Sequence, residues 1–92
     1  MEKIRLELHY YGRVQGVGFR YWAKTQAIKF HVTGWVRNEY DGSVTVQVQG
    51  TQDQIERFMY GIEHGHSFMR INEVKANPIL LKEKESDFLV RY

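Results

Sequence analysis

The sequence predicts an α+β sandwich in the order strand, helix, strand, strand, helix, strand, with an antiparallel sheet and two helices on one face. Three observations lead there. Ile4, Leu6, Leu8 and Tyr10 alternate with Arg5, Glu7 and His9, the period of a strand with one buried and one wet face. Val44, Val46 and Val48 alternate in the same way with Thr45, Gln47 and Gln49. Phe19, Trp22, Ala23, Ala27 and Phe30, and later Ile55, Phe58, Met59 and Ile62, recur at three- and four-residue steps. Each set therefore forms one helical stripe that needs a sheet to cover it.

The elements follow in order. Ile4 to Tyr10 is the first strand, and a helix is expected from Arg20 to Phe30 after a glycine-rich connection. Val32 to Asn38 reads as the second strand, and Asp41-Gly42 is a tight-turn pair that joins it to the third as a hairpin. Gly50 breaks the alternation, and Thr51-Gln52-Asp53-Gln54 matches a capping box at the head of the second helix. His64-Gly65-His66 ends that helix. A fourth strand is expected from Arg70 to Ala76, before Pro78; Lys82 to Asp87 reads as a solvated loop, and Phe88 to Tyr92 as a short final strand. With 92 residues there is room for one core, so residues 1–92 are expected to form one domain.

Composition excludes several classes of function. The chain has no cysteine, which removes disulfides, thiolate nucleophiles and cysteine-ligated metals. Its 13 basic and 11 acidic side chains leave a net charge of only +2, far from the basic face that binding a nucleic-acid backbone requires. No run approaches the ~18 apolar residues of a membrane span. The amino terminus alternates from its first residues and lacks the apolar stretch of a signal peptide, so a cytoplasmic location is expected.

The run Gly12-Arg13-Val14-Gln15-Gly16-Val17-Gly18-Phe19-Arg20 carries the chemistry. Three glycines let backbone N–H groups turn inward, a helix start adds unpaired donors and a positive dipole end, and arginine adds a charged fork. Apolar Val14 and Val17 between the glycines mark a loop of defined shape, where a solvated linker would favour Ser, Asn and Lys. The spacing fits neither G-x-x-x-x-G-K-[ST] nor G-x-G-x-x-G, so neither nucleotide-binding class is supported. Gly16 to Trp22 superficially looks like the aromatic RNA-binding motif, but that motif belongs on the third strand, where Val44 to Gln49 carries no aromatic residue.

A second segment, Gly34-Trp35-Val36-Arg37-Asn38 followed by Asp41-Gly42, would by itself be only a strand running into a turn. Together the two segments resemble the two signature regions of the acylphosphatase family, and the likeness extends to length, element order and the aromatic carboxyl-terminal ending. The resemblance implies a ferredoxin-like sandwich that hydrolyses the carboxyl–phosphate anhydride of small acyl phosphates, with inorganic phosphate as product and with neither metal, cofactor nor covalent intermediate. By position it makes Arg20 the phosphate-binding arginine and Asn38 the water-orienting asparagine. The loop amides of Val14, Gln15, Gly16, Val17, Gly18 and Phe19 would form the cradle. Arg13 and Gly18 stand where other members hold different residues, so the resemblance gives the Arg13 side chain no necessary role.

The chemistry is compatible with these residues. A carboxylate leaves as a stable anion without a general acid, and a loose phosphoryl-transfer transition state asks mainly for positioning and charge neutralisation. Asn38 cannot take a proton, but its amide can fix the line of a water's attack, and alignment of this kind can be worth ~7–11 kcal/mol. The other candidates read as structural: His64 and His66 lack a third metal ligand nearby, Ser43 lacks a base, and Glu7 and His9 lie on the wet face of the first strand. A monomer with no nucleic-acid or membrane partner is expected. The rival reading is a non-catalytic module of the same fold that senses an anion or meets a protein partner.

Overall fold

The computed structural model describes residues 2–65 and 68–92. Along them run β1 (Lys3–Arg13), α1 (Phe19–Phe30), β2 (Thr33–Asn38), β3 (Val44–Thr51), α2 (Gln52–Glu63), β4 (Arg70–Ile79) and β5 (Phe88–Arg91). Among the described residues the strands form one five-stranded sheet in the order β4-β1-β3-β2-β5. β1 and β3 hold the centre, pairing antiparallel with Leu8 opposite Val46 and Tyr10 opposite Val44. Leu8, Tyr10, Val36, Val44, Val46 and Val48 of the sheet share the core with Ala23 and Ala27 of α1 and with Ile55, Phe58 and Ile62 of α2. Fully burying a side chain of the Ile55 or Phe58 kind contributes ~1.5–3 kcal/mol.

Several expectations change. The sheet is mixed rather than wholly antiparallel, because β5 lies parallel to β2, with Gly34 opposite Phe88 and Arg37 opposite Arg91. Alternation marks a strand without giving its neighbour or direction. β4 continues through Pro78 to Ile79 instead of stopping at Ala76. Pro78 is tolerated because β4 is an edge strand, where a missing N–H need not break a ladder. β1 runs to Arg13, so Gly12 and Arg13 belong to the strand, and α1 begins one residue early, at Phe19.

The largest correction concerns the presumed wet face of β1. Arg5 is only 2 % exposed. Its guanidinium donates from Nη1 and Nη2 to the two Glu85 carboxylate oxygens at 2.7 and 3.1 Å, and to Gln47 and Gln49 of β3. Gln49 in turn bonds Lys82 through both its N–H and its carbonyl oxygen. The segment 82–87 is thus clasped across the outer face of the sheet, not left as a free solvated loop. It ends where Gly34 N–H donates to the Asp87 carbonyl at 3.0 Å, which delivers β5 to the edge of β2.

α2 starts with the expected capping box: Thr51 Oγ1 accepts from Gln54 N–H at 3.2 Å, and Gln54 Oε1 accepts from Thr51 N–H at 2.9 Å. Among the described residues no helix is long and apolar enough to cross a membrane.

Candidate active site

The loop between β1 and α1 is fixed at both ends by the core. Val14 and Phe19 are 1 % and 2 % exposed, and the Phe19 ring packs against Tyr10 at 5.1 Å between centroids. Between them Gly16 and Gly18 take left-handed φ values of 72° and 81°, a region that costs other residues roughly 1–2 kcal/mol. Gly18 is the N-cap of α1 and offers no side-chain cap, and the first turn holds no acidic residue. The first helical bond runs from Trp22 N–H to the Gly18 carbonyl at 3.0 Å. The N–H groups of Phe19, Arg20 and Tyr21 therefore precede the intrahelical ladder, at the positive end of the helix dipole, as an anion would require.

These groups border a pocket of about 100 Å³ lined by Val14, Gly16, Gly18, Phe19, Arg20, Tyr21, Asn38, Val90 and Tyr92. The structure thus brings Arg20 and Asn38, from opposite ends of the sequence argument, to one cavity. Val14, Gly16, Gly18 and Phe19 line it as well. Gln15 and Val17 belong to the same loop but face elsewhere: Val17 packs on the core, and the Gln15 carboxamide reaches the β2–β3 hairpin. Arg13 is exposed at the end of β1 and does not border the pocket.

Arg20 is held from behind by the carboxyl-terminal strand. Its Nη1 donates to the Arg91 carbonyl at 3.2 Å, and its guanidinium lies 4.6 Å from the centre of the Tyr92 ring. A guanidinium has five donors, so this one bond leaves others for a ligand. Periodicity does not mark Val90, Arg91 and Tyr92 as site residues, because the parallel alignment of β5 on β2 leaves no trace in it. The aromatic ending was the one available signal.

Asn38 is the last residue of β2, opposite Val44. Beyond it Glu39 N–H donates to the Ser43 carbonyl at 2.8 Å and Gly42 N–H to the Glu39 carbonyl at 3.3 Å. The turn is therefore a three-residue loop, Tyr40 to Gly42, wider than a two-residue Asp-Gly turn; Gly42 takes the positive φ of 94° that such loops need at their last position. Asp41 Oδ1 accepts from the Ser43 hydroxyl at 2.5 Å and from its N–H at 3.0 Å. These two bonds hold the Asp41 carboxyl below its ordinary pKa.

The minor candidates take structural positions. Ser43 is consumed by Asp41, and His9 contacts Thr45 Oγ1 at 3.1 Å and Glu7 at 3.7 Å away from the pocket. The His64 ring stacks on Tyr60 and meets the Tyr60 carbonyl; His66 lies outside the described residues. The Tyr10 hydroxyl is buried without a hydrogen-bond partner among the described residues. Burial, with a smaller push from the charge of Glu63, drives its pKa far up, so it stays protonated and cannot serve as a base.

The family model "Acylphosphatase" matches residues 6–90. The chain belongs to the acylphosphatase family. The acylphosphatase of Geobacillus kaustophilus is 40 % identical over 81 residues, covering 88 % of this chain and 86 % of the relative. That of Clostridium beijerinckii is 35 % identical over 89 residues, covering 97 % and 99 %. The crystal structure of acylphosphatase from Bacillus subtilis superposes with a TM-score of 0.90 at 29 % identity, covering 97 % of this chain and 99 % of that one. The acylphosphatase likeness runs from β1 to β5 through both motif segments, and it favours a hydrolase over a non-catalytic module of the same fold.

Proposed function

We propose that this chain, as one domain, hydrolyses the carboxyl–phosphate bond of small acyl phosphates by direct attack of a water that Asn38 orients. Backbone amides of residues 14–19 and the Arg20 guanidinium hold the phosphoryl group. The observation that supports the reading is the shared pocket: an uncapped helix start, an arginine with spare donors and an asparagine at the end of the adjoining strand all border one cavity of about 100 Å³.

The water oxygen bonds to phosphorus as the bond to the acyl oxygen breaks, and that electron pair leaves with the carboxylate. The water's proton passes to the phosphate product or to solvent. No side chain need change its protonation state. Donors fixed in advance around the three phosphoryl oxygens neutralise the charge of a loose transition state without reorganising.

Benzoyl phosphate hydrolysis in the presence of a chelator tests the reading. Turnover should persist, and its abolition by chelation would overturn the metal-free mechanism. Asn38→Ala should keep phosphate affinity while kcat falls about 10²–10³-fold, the scale of one lost transition-state contact; Arg20→Ala should lose phosphate affinity as well. Wild-type turnover in either variant refutes its assignment. A monomer and a cytoplasmic location complete the proposal, the former supported by the clasped polar outer face of the sheet. Sedimentation and cell fractionation check them.

A further inference from the structure

The sequence assigns Gln15 only a backbone role, yet its side chain links the loop to the hairpin that carries Asn38. Nε2 donates to the Glu39 carbonyl at 2.7 Å and to the Ser43 carbonyl at 2.8 Å. These two carbonyls form the neck of the β2–β3 hairpin: Ser43 O also accepts from Glu39 N–H, and Glu39 O from Gly42 N–H. Asn38 and Val44 are the next pair inward. A carboxamide NH₂ has two hydrogens and finds two acceptors here, so its donor capacity is fully used. The loop that begins at Val14 and the strand end that carries Asn38 are otherwise separate pieces of chain, 24 residues apart at Gln15 and Glu39.

We infer that the Gln15 carboxamide is a positioning residue that sets the separation between the phosphoryl cradle and the Asn38 amide, and so controls turnover more than binding. The inference rests on the roles proposed above for Asn38 and the loop. Cradle donors come from the loop and helix start, which Val14 and Phe19 anchor in the core without help from Gln15. Phosphate affinity should therefore survive loss of the carboxamide. The line of the water's attack depends on where the hairpin stands relative to the loop, and a displacement of about 1 Å can cost about 100-fold in rate.

The test compares Gln15→Met, which keeps length and removes both donors, with Gln15→Glu, whose carboxylate would face two carbonyl oxygens with no N–H to offer. Rates of benzoyl phosphate hydrolysis are taken per folded molecule, with the folded fraction measured by circular dichroism, and phosphate is titrated as a competitive inhibitor. Both variants should show kcat lowered about 10- to 100-fold, with KM and the phosphate inhibition constant within about threefold. Wild-type kcat in both variants overturns the inference. So does a loss that disappears on correction for folded fraction, which makes Gln15 purely structural, or phosphate affinity lost in step with kcat, which makes it part of the cradle. If one variant fails to fold, the other decides. Asn38→Ala, run alongside, separates the two levels: wild-type turnover there fails the underlying reading. Loss there with unchanged Gln15 variants fails this inference alone.

Discussion

Removing the Glu85 carboxylate should be among the most damaging single changes outside the core. Arg5 is 2 % exposed and Glu85 10 %, and two charge-assisted bonds at 2.7 and 3.1 Å join them. Each such bond contributes about 1.5–3 kcal/mol, or roughly 3–6 together. Gln47 Oε1 and Gln49 Oε1 remain as acceptors for the guanidinium, and water can enter where Glu85 stood near the surface. Both effects pull the cost of Glu85→Ala toward the lower end of the range for a broken buried pair, about 3 kcal/mol. For a domain of this size that is a fall in Tm of about 12–24 °C. The double change Arg5→Met with Glu85→Leu leaves no unpaired charge and should recover most of the loss.

A pH titration isolates the ionic part. Burial raises the Glu85 pKa, but the hydrogen bonds of Arg5 and Thr33 and the charges of Arg5 and Lys82 together outweigh it and the net shift is downward. A carboxyl whose folded pKa is lowered contributes stability in full above its unfolded value of ~4.3, and loses it as pH falls through the lower folded value. Thermal melts of wild type and Glu85→Gln between neutral and acid pH should converge at the acid end. A Tm within about 4 °C of wild type in Glu85→Ala, equivalent to under ~1 kcal/mol, or an acid limb unchanged in Glu85→Gln, would refute the reasoning.

Two further perturbations act elsewhere. Thr51→Ala removes the side chain that caps α2 and should cost about 0.5–2 kcal/mol; because Thr51 lies ~23 Å along β3 from Val44 and the pocket, kcat measured well below Tm should not change. At Gly12, φ is 131° and an added Cβ would collide with the Arg70 carbonyl of β4. Gly12→Ala should cost at least roughly 1–3 kcal/mol and shift the loop that follows, read as a lower Tm together with a raised KM.

The glycine loop was legible as an anion site from local chemistry, whereas Arg20 and Asn38, which line one pocket, were singled out by the family resemblance of the two segments that carry them. Glycines that permit left-handed φ, a helix start without a cap and a strand ending at an asparagine are written in short stretches of residues. Both helices, β1 and β3 followed equally from hydrophobic period, and β2, β4 and β5 from short runs bounded by turn residues. Arg5 was misread because alternation reports which face a side chain takes, and says nothing about what a distant segment lays over that face. The same limit hid Glu85 inside a charged run that looked solvated.

Local pattern thus decided which elements form and which residue types could hold a phosphoryl group, since these depend on neighbours within a few positions. The folded arrangement decided the remainder: β5 entering parallel to β2, Arg20 braced by the Arg91 carbonyl and the Tyr92 ring, Gln15 tying the loop to the hairpin neck, and Arg5 paired with Glu85. Each joins residues 24 to 80 positions apart. Contacts at that separation are set by how the whole chain closes its core, and no short window of sequence contains the other half of the pair.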